Sequence, residues 1–168
     1  MSVSTEKLKE LREASGAGIM ACRNALMETD QDMDKAIQLL KEQSVFLVDK
    51  KKDRDTSQGL VEAYVHSGGR VGAMVELNCE TDFVARTDEF KDLAHNLAMQ
   101  VTAMPPRFIS DEDLPEGEDI SIAEDCLLLQ PYIRDPGVTV QDLINETIAK
   151  VGENIKVSRF ARYQLGDS

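Results

Sequence analysis

A chain of 168 residues, 42% of them hydrophobic, is long enough to bury a core as one domain of moderate size, with room for one small module beside it. Its 31 acidic residues against 19 basic ones give a net charge of −12, which repels phosphate backbones and anionic bilayers. Direct binding to nucleic acid or membrane is thereby disfavoured, and a partner protein is expected. Three widely spaced cysteines (Cys22, Cys79, Cys126) and two histidines (His66, His95) contain no Cys-x-x-Cys pair and supply too few ligands for a metal site. Reduced thiols in a cytoplasmic protein, with neither metal nor cofactor, are the expectation. The N-terminus is polar and no apolar run reaches the length of a bilayer span, so neither signal peptide nor membrane helix is expected.

In chain order, the first 43 residues read as three short helices. Ser4 or Thr5 caps a helix carrying Leu8 and Leu11 on one face, and Gly16-Ala17-Gly18 ends it. Ile19, Cys22, Ala25 and Leu26 then form an apolar stripe, with Met20 and Met27 outside it; Met33, Ala36, Ile37 and Leu40 make a third amphipathic helix. Three such helices form a small core, suited to a docking knob. Residues 44–58, with Lys50-Lys51-Lys52-Asp53-Arg54-Asp55, read as a solvated helical linker.

From residue 59 the periodicity turns to β. Leu60, Val61, Tyr64 and Val65 precede the turn Ser67-Gly68-Gly69-Arg70, and Val71 to Asn78 returns, which is a hairpin. It delivers the stretch Asn78-Cys79-Glu80-Thr81-Asp82-Phe83-Val84-Ala85-Arg86, a strand-to-helix loop with an acid beside a large aromatic. Two readings stand. Phe83 packs under the following helix with Asp82 as a turn residue, or the loop presents Phe83 as an apolar wedge and Asp82 as a carboxylate to a partner. Thr87 then caps a helix with Phe90, Leu93, Ala94, Leu97, Ala98 and Val101 on one face, stopped by Pro105-Pro106.

Arg107-Phe108-Ile109 looks like a short strand, and Ser110 to Asp125 like a solvated acidic connector. Leu127 to Ile133 is a short apolar run that Asp135-Pro136-Gly137 turns. Thr139-Val140-Gln141-Asp142 has capping-box spacing ahead of a helix with Val140, Leu143, Ile144, Ile148 and Val151, ended by Gly152. A last strand, Asn154 to Leu165, places Ile155, Val157, Ala161, Tyr163 and Leu165 on one face. Arg159 falls there too and calls for a carboxylate or an exposed strand end. The class is α+β: an N-terminal three-helix domain (1–43), a helical linker (44–58) and a core (59–168) whose small antiparallel sheet is covered by helices. No Gly-rich phosphate loop, His-x-x-x-His pair or Gly-x-Ser-x-Gly elbow is present, and although three cysteines and two histidines could supply a Cys–His dyad, such as Cys79 with His66 across the hairpin, buried cysteine in a strand is the ordinary case, so the chain reads as a non-enzymatic binding protein.

Three blocks carry a resemblance. Leu11-Arg12-Glu13-Ala14-Ser15-Gly16-Ala17-Gly18-Ile19-Met20, Cys79-Glu80-Thr81-Asp82-Phe83-Val84-Ala85-Arg86, and Val151-Gly152-Glu153-Asn154-Ile155-Lys156-Val157 with Arg159-Phe160-Ala161-Arg162 resemble translation elongation factor Ts. The resemblance implies a ubiquitin-associated-like head, a linker and an α+β core. It implies nucleotide exchange on elongation factor Tu: the head docks on the GTPase domain through Arg12, Ile19 and Met20, and Thr81, Asp82, Phe83 and Val84 disturb the nucleotide's magnesium site. Full-length members carry two related core subdomains and a helical excursion. This chain resembles the short forms, and a homodimer, pairing sheets about a two-fold axis, would substitute for the second subdomain. The competing reading is an adaptor that binds other proteins through the three-helix head alone.

Overall fold

The computed structural model describes residues 3–117 and 120–167. Helices α1 (Thr5–Ser15), α2 (Ile19–Glu28) and α3 (Met33–Lys51) enclose a first core of Leu11, Cys22, Ala25, Leu26, Ala36 and Leu40. α1 ends because Gly16 takes φ +66, a left-handed conformation, and returns its N–H to the Arg12 carbonyl. Ile19 leaves the expected stripe: it is 52% exposed. As the first residue of α2 its side chain leans back over the α1–α2 turn, beyond the zone where α2 meets its neighbours. Met20 and Met27 are exposed as well.

α3 runs on past residue 43 into the segment read as a helical linker. Its N-terminus is fixed by the Asp32 carboxylate, which accepts the Lys35 N–H at 3.1 Å, and it continues for 19 residues. Val48 reaches the second core, and Lys51 Nζ donates to the Gly152 carbonyl at 2.8 Å. The segment read as a solvated helical linker is helical through Lys51 and mostly exposed, Val45, Phe46 and Leu47 included; Val48 and Lys51 are the points at which it touches the core.

Strands β1 (Gln58–Val65) and β2 (Val71–Cys79) form the hairpin, turning through Gly68 and Gly69 at positive φ. A single helical turn, α4 (Asp82–Ala85), leads to α5 (Asp88–Ala103), whose cap is Thr87 and whose Phe90, Leu93, Ala94, Leu97, Ala98 and Val101 are all buried. α5 lies across β1 and β2. Beyond Pro105-Pro106, Phe108 makes only an isolated parallel bridge with Cys126 in place of the expected strand. The acidic connector contains a 3-10 turn at Asp111–Asp113 and one helical turn, α6 (Ile122–Asp125); its residues 118 and 119 lie outside the described residues.

The apolar run after α6 begins as a 3-10 turn (Leu127–Leu129) before a short ribbon of β3 (Pro131–Tyr132) and β4 (Asp135–Thr139). The chain reverses at Ile133 and Arg134, ahead of the expected Asp135-Pro136-Gly137, which lies within β4. Two buried glutamines give the reason. Gln100 accepts the Ile133 N–H (2.9 Å) and donates to the Pro131 carbonyl (3.2 Å) and to Gln130 Oε1 (3.0 Å). Gln130 donates to the carbonyls of Met104 (3.1 Å) and Glu124 (2.6 Å). Side-chain amides thus take over the pairing that a longer ladder would supply.

Helix α7 (Val140–Val151) starts with a complete Thr139–Asp142 capping box, ends at Gly152 and packs against α5 and α3. β5 (Ile155–Gln164) completes an antiparallel sheet of order β1-β2-β5. Its register shifts once: Leu77 pairs with Val157 and Glu76 with Arg159, leaving Ser158 bulged. A one-residue slip exchanges the faces of a strand. Ile155 and Val157 therefore join the core with Phe160, while Ala161, Tyr163 and Leu165 pass to the opposite, exposed side. Arg159 meets its carboxylate, Glu76, at 2.6 Å.

Gln130→Leu, of similar volume, should lower the unfolding free energy by about 2 kcal/mol or more, since it strips the Met104 and Glu124 carbonyls of their donor and the buried Gln100 amide of an acceptor. Urea unfolding followed by circular dichroism measures this, and unchanged stability would mean that water reaches both carbonyls.

Candidate functional site

The stretch at the end of β2 is built from its anchors outward. Cys79 is buried and its thiol donates to the Thr81 carbonyl at 3.1 Å. Thr81 is extended (φ −126, ψ 156) and caps α4, accepting the Val84 N–H at 3.4 Å. Its own hydroxyl and N–H both donate to one carboxylate, that of Glu153, at 2.6 and 3.0 Å. At the other end Thr87 donates its hydroxyl to the Val84 carbonyl at 2.7 Å, and Val84 and Ala85 lean on the core.

Between these anchors two side chains are left to the surface. Phe83 is 78% exposed, and Asp82 holds Arg86 in an ion pair at 2.9 Å. Of the two readings of this stretch, the packing of Phe83 under the helix is excluded; Val84 is the side chain that packs. The TDFV segment is also a helical turn in place of an irregular loop, which directs successive side chains to different sides.

The remaining candidates lie on the head. Arg12 is exposed in the last turn of α1, and Ile19 and Met20 are exposed in the first turn of α2, so the three flank the Gly16-Ala17-Gly18 turn. They belong to different elements from Thr81–Val84, and the structure does not gather the two sets into one cleft.

Sequence reasoning gave no role to the turn between α7 and β5, although Glu153 and Asn154 stand in one of the three blocks singled out above. Glu153 holds Thr81. Asn154 donates its N–H to Glu80 Oε1 (2.8 Å) and its side-chain amide to the carbonyls of Lys52 (3.2 Å) and Arg54 (3.0 Å). Arg54 pairs with Glu80 at 3.5 Å. The signal in the sequence was the acid and amide following a helix-ending glycine; their partners, 72 to 102 residues distant, carry no local signature.

The Cys79–His66 dyad is absent. Cys79 stands opposite Gln58 at one end of the hairpin, whereas His66 lies at the turn and bonds the Tyr64 hydroxyl at 3.1 Å. Burial, followed by the charge of Glu153, pushes the Cys79 thiol up to about 11, and burial raises Cys126 as well. Among the described residues no cluster of His, Cys, Asp or Glu could hold a metal ion, and no helix is long and apolar enough to cross a membrane.

These features define an α+β protein whose candidate functional groups are surface side chains on separate elements, rather than groups converging in a cleft. The comparisons with known proteins give that class a family. A family model described as "Elongation factor TS" matches residues 5–119. The elongation factor Ts of Thermoanaerobacter sp. (strain X514) is 46% identical, with 98% of this chain and 96% of that one covered. That of Thermotoga maritima is 45% identical, with 99% and 98% covered, and that of Rippkaea orientalis 45%, with 98% and 79% covered. The chain belongs to the elongation factor Ts family. The alignments with the first two run over 195 positions against the 168 residues present here, so those relatives contain segments that this chain lacks.

With three buried free thiols and Cys79 held protonated, the folded chain should react with a disulfide reagent at pH 8 about a hundredfold more slowly than free cysteine. Three thiols should titrate at once after unfolding in urea. A fast-reacting thiol in the folded state would contradict the burial.

Proposed function

We propose that this chain is a nucleotide-exchange factor in translation elongation that binds elongation factor Tu in its GDP form and promotes GDP release so that GTP can enter. The family supports a role in elongation. The observation that carries the mechanism is Phe83, 78% exposed on a one-turn helix whose backbone is anchored at both ends. A large apolar side chain held out by a stiff turn has low entropy to lose on insertion into a partner.

Mg²⁺ in a GTPase bridges nucleotide phosphates and switch-region oxygens, so disturbing its coordination removes a large electrostatic share of GDP affinity. Phe83 is the plug that shifts the partner's side chains and Asp82 its polar companion, with Thr81 and Val84 as the anchors that hold them. Arg12, Ile19 and Met20 form the head's contact with the GTPase domain. Exchange is then linkage: a factor that binds the nucleotide-free partner more tightly than the GDP-bound one weakens GDP by the same ratio. The factor makes and breaks no covalent bond, and nucleic acid takes no direct part.

The uncovered face of the sheet supports a homodimer. The bulge at Ser158 places Ala161 and Tyr163 beside Met74, Ala63 and Val65 on the side of the sheet opposite α5, and Leu165 follows them; Val65, Met74, Tyr163 and Leu165 are all exposed. A second copy about a two-fold axis covers this apolar face with its own and leaves no growing edge. Sedimentation equilibrium at micromolar concentration should give the dimer mass, and Tyr163→Glu should shift it to the monomer. A monomer mass for the wild type would remove the dimer from the account.

Release of a fluorescent GDP analogue from elongation factor Tu tests the function, and no acceleration by the wild-type chain would sink it. Phe83→Ala should cost about 2 kcal/mol, roughly thirtyfold in exchange, with an unchanged circular dichroism spectrum. Asp82→Ala should act in the same direction; wild-type exchange in that variant would remove the carboxylate from the mechanism.

A further inference from the structure

The turn from α7 into β5 is the point at which distant parts of the chain meet. Glu153 takes both donors of Thr81, and its neighbour Asn154 holds Glu80 and the main chain just beyond α3. Asn154 is 3% exposed, and the turn itself is fixed from outside by Lys51 on the Gly152 carbonyl. Glu153 therefore has a rigid base from which to act.

We infer that Glu153 is a positioning residue for nucleotide exchange: its carboxylate fixes Thr81, and through Thr81 the direction in which Phe83 projects. The inference rests on the exchange function proposed above. A four-residue helix is far below the length at which a helix holds itself, so the orientation of α4 comes from its anchors. Among those anchors the Glu153 pair is the bidentate, charge-assisted one, shorter than the 3.4 Å cap bond from Val84 N–H to Thr81. Without it the Thr81 hydroxyl is free to rotate, its N–H turns to water, and the β2–α4 junction gains the freedom that blurs the aim of Phe83. Among the described residues the hydrogen bonds of Glu153 go to Thr81 and the ion pair of Asp82 to Arg86, and Glu153 stands outside helices α1 and α2, so its effect falls on the step in which the wedge enters and not on docking.

The experiment compares Glu153→Gln and Glu153→Ala with the wild type in two measurements. In the free protein, nitrogen-15 NMR reads the Thr81 amide. Its hydrogen exchange should be slow in the wild type and accelerated in both variants, while the amides of α1 and α2 keep their shifts. With elongation factor Tu loaded with a fluorescent GDP analogue, the release rate at saturating factor should fall about tenfold in Glu153→Ala, while the half-saturating concentration stays within about threefold. Glu153→Gln, which keeps one acceptor, should lie between the two.

Wild-type release rates in both variants, with the Thr81 amide exposed, would overturn the positioning role and leave the exchange function standing. A wild-type protein that fails to accelerate release would instead sink the exchange reading, and the NMR arm would then test the clamp alone. If Glu153→Ala fails to fold, the near-isosteric Glu153→Gln decides. If both fail to fold, Glu153 is a stability residue and the inference is wrong.

Discussion

The bidentate contact between Glu153 and Thr81 is the constraint on which the arrangement of the site depends. It joins residues 72 apart, at the two places where a strand end meets a helix end on the same side of the core. One side of this junction carries α4 and its exposed phenylalanine. The other side, through Asn154 and Lys51, holds the last residues of α3 and the main chain beyond them. The end of α3 and the helical turn that carries Phe83 are therefore both referenced to one turn.

The sheet shows how a single residue decides which side chains a surface exposes. One face is closed by α5, with Phe90, Leu97 and Val101 filling the space above Val75 and Leu77. The other face owes its character to Ser158. Without the bulge, Ile155 and Val157 would share a side with Tyr163 and either the core would lose two aliphatics or the open face would carry two more. With it, the core end of β5 is apolar inward and the far end apolar outward, while Glu76 and Arg159 close the change of register with an ion pair.

The segment between Pro106 and Thr139 is held differently. It contains little ladder pairing, and its apolar anchors are few: Cys126, Leu127 and Tyr132 buried, Leu128 partly so. Order comes from Gln100 and Gln130, both fully buried and with their amide groups spent on main-chain atoms and on each other. A buried amide that meets all its partners specifies one path for the chain, since any other leaves it unsatisfied.

What the sequence determined by itself are the features that live within one element. The stripe of α5, the capping box of α7, the glycines that end α1 and α7 and turn the hairpin, and the α+β class all follow from spacing and from residues with one dominant conformational use. The isolation of Asp82-Phe83 in a chain with few aromatics marked the candidate site, and the three blocks marked the family. Tertiary structure alone decided the rest. Whether Phe83 points in or out depends on Val84 taking the core position. Where α3 stops depends on Val48 and Lys51 finding partners on another element, and which face Tyr163 joins depends on an extra residue in a strand whose alternation looked regular. That Glu153 holds Thr81 is a contact across 72 residues, and no local pattern encodes it, because hydrogen-bond partners of that separation are chosen only when the chain has closed around them.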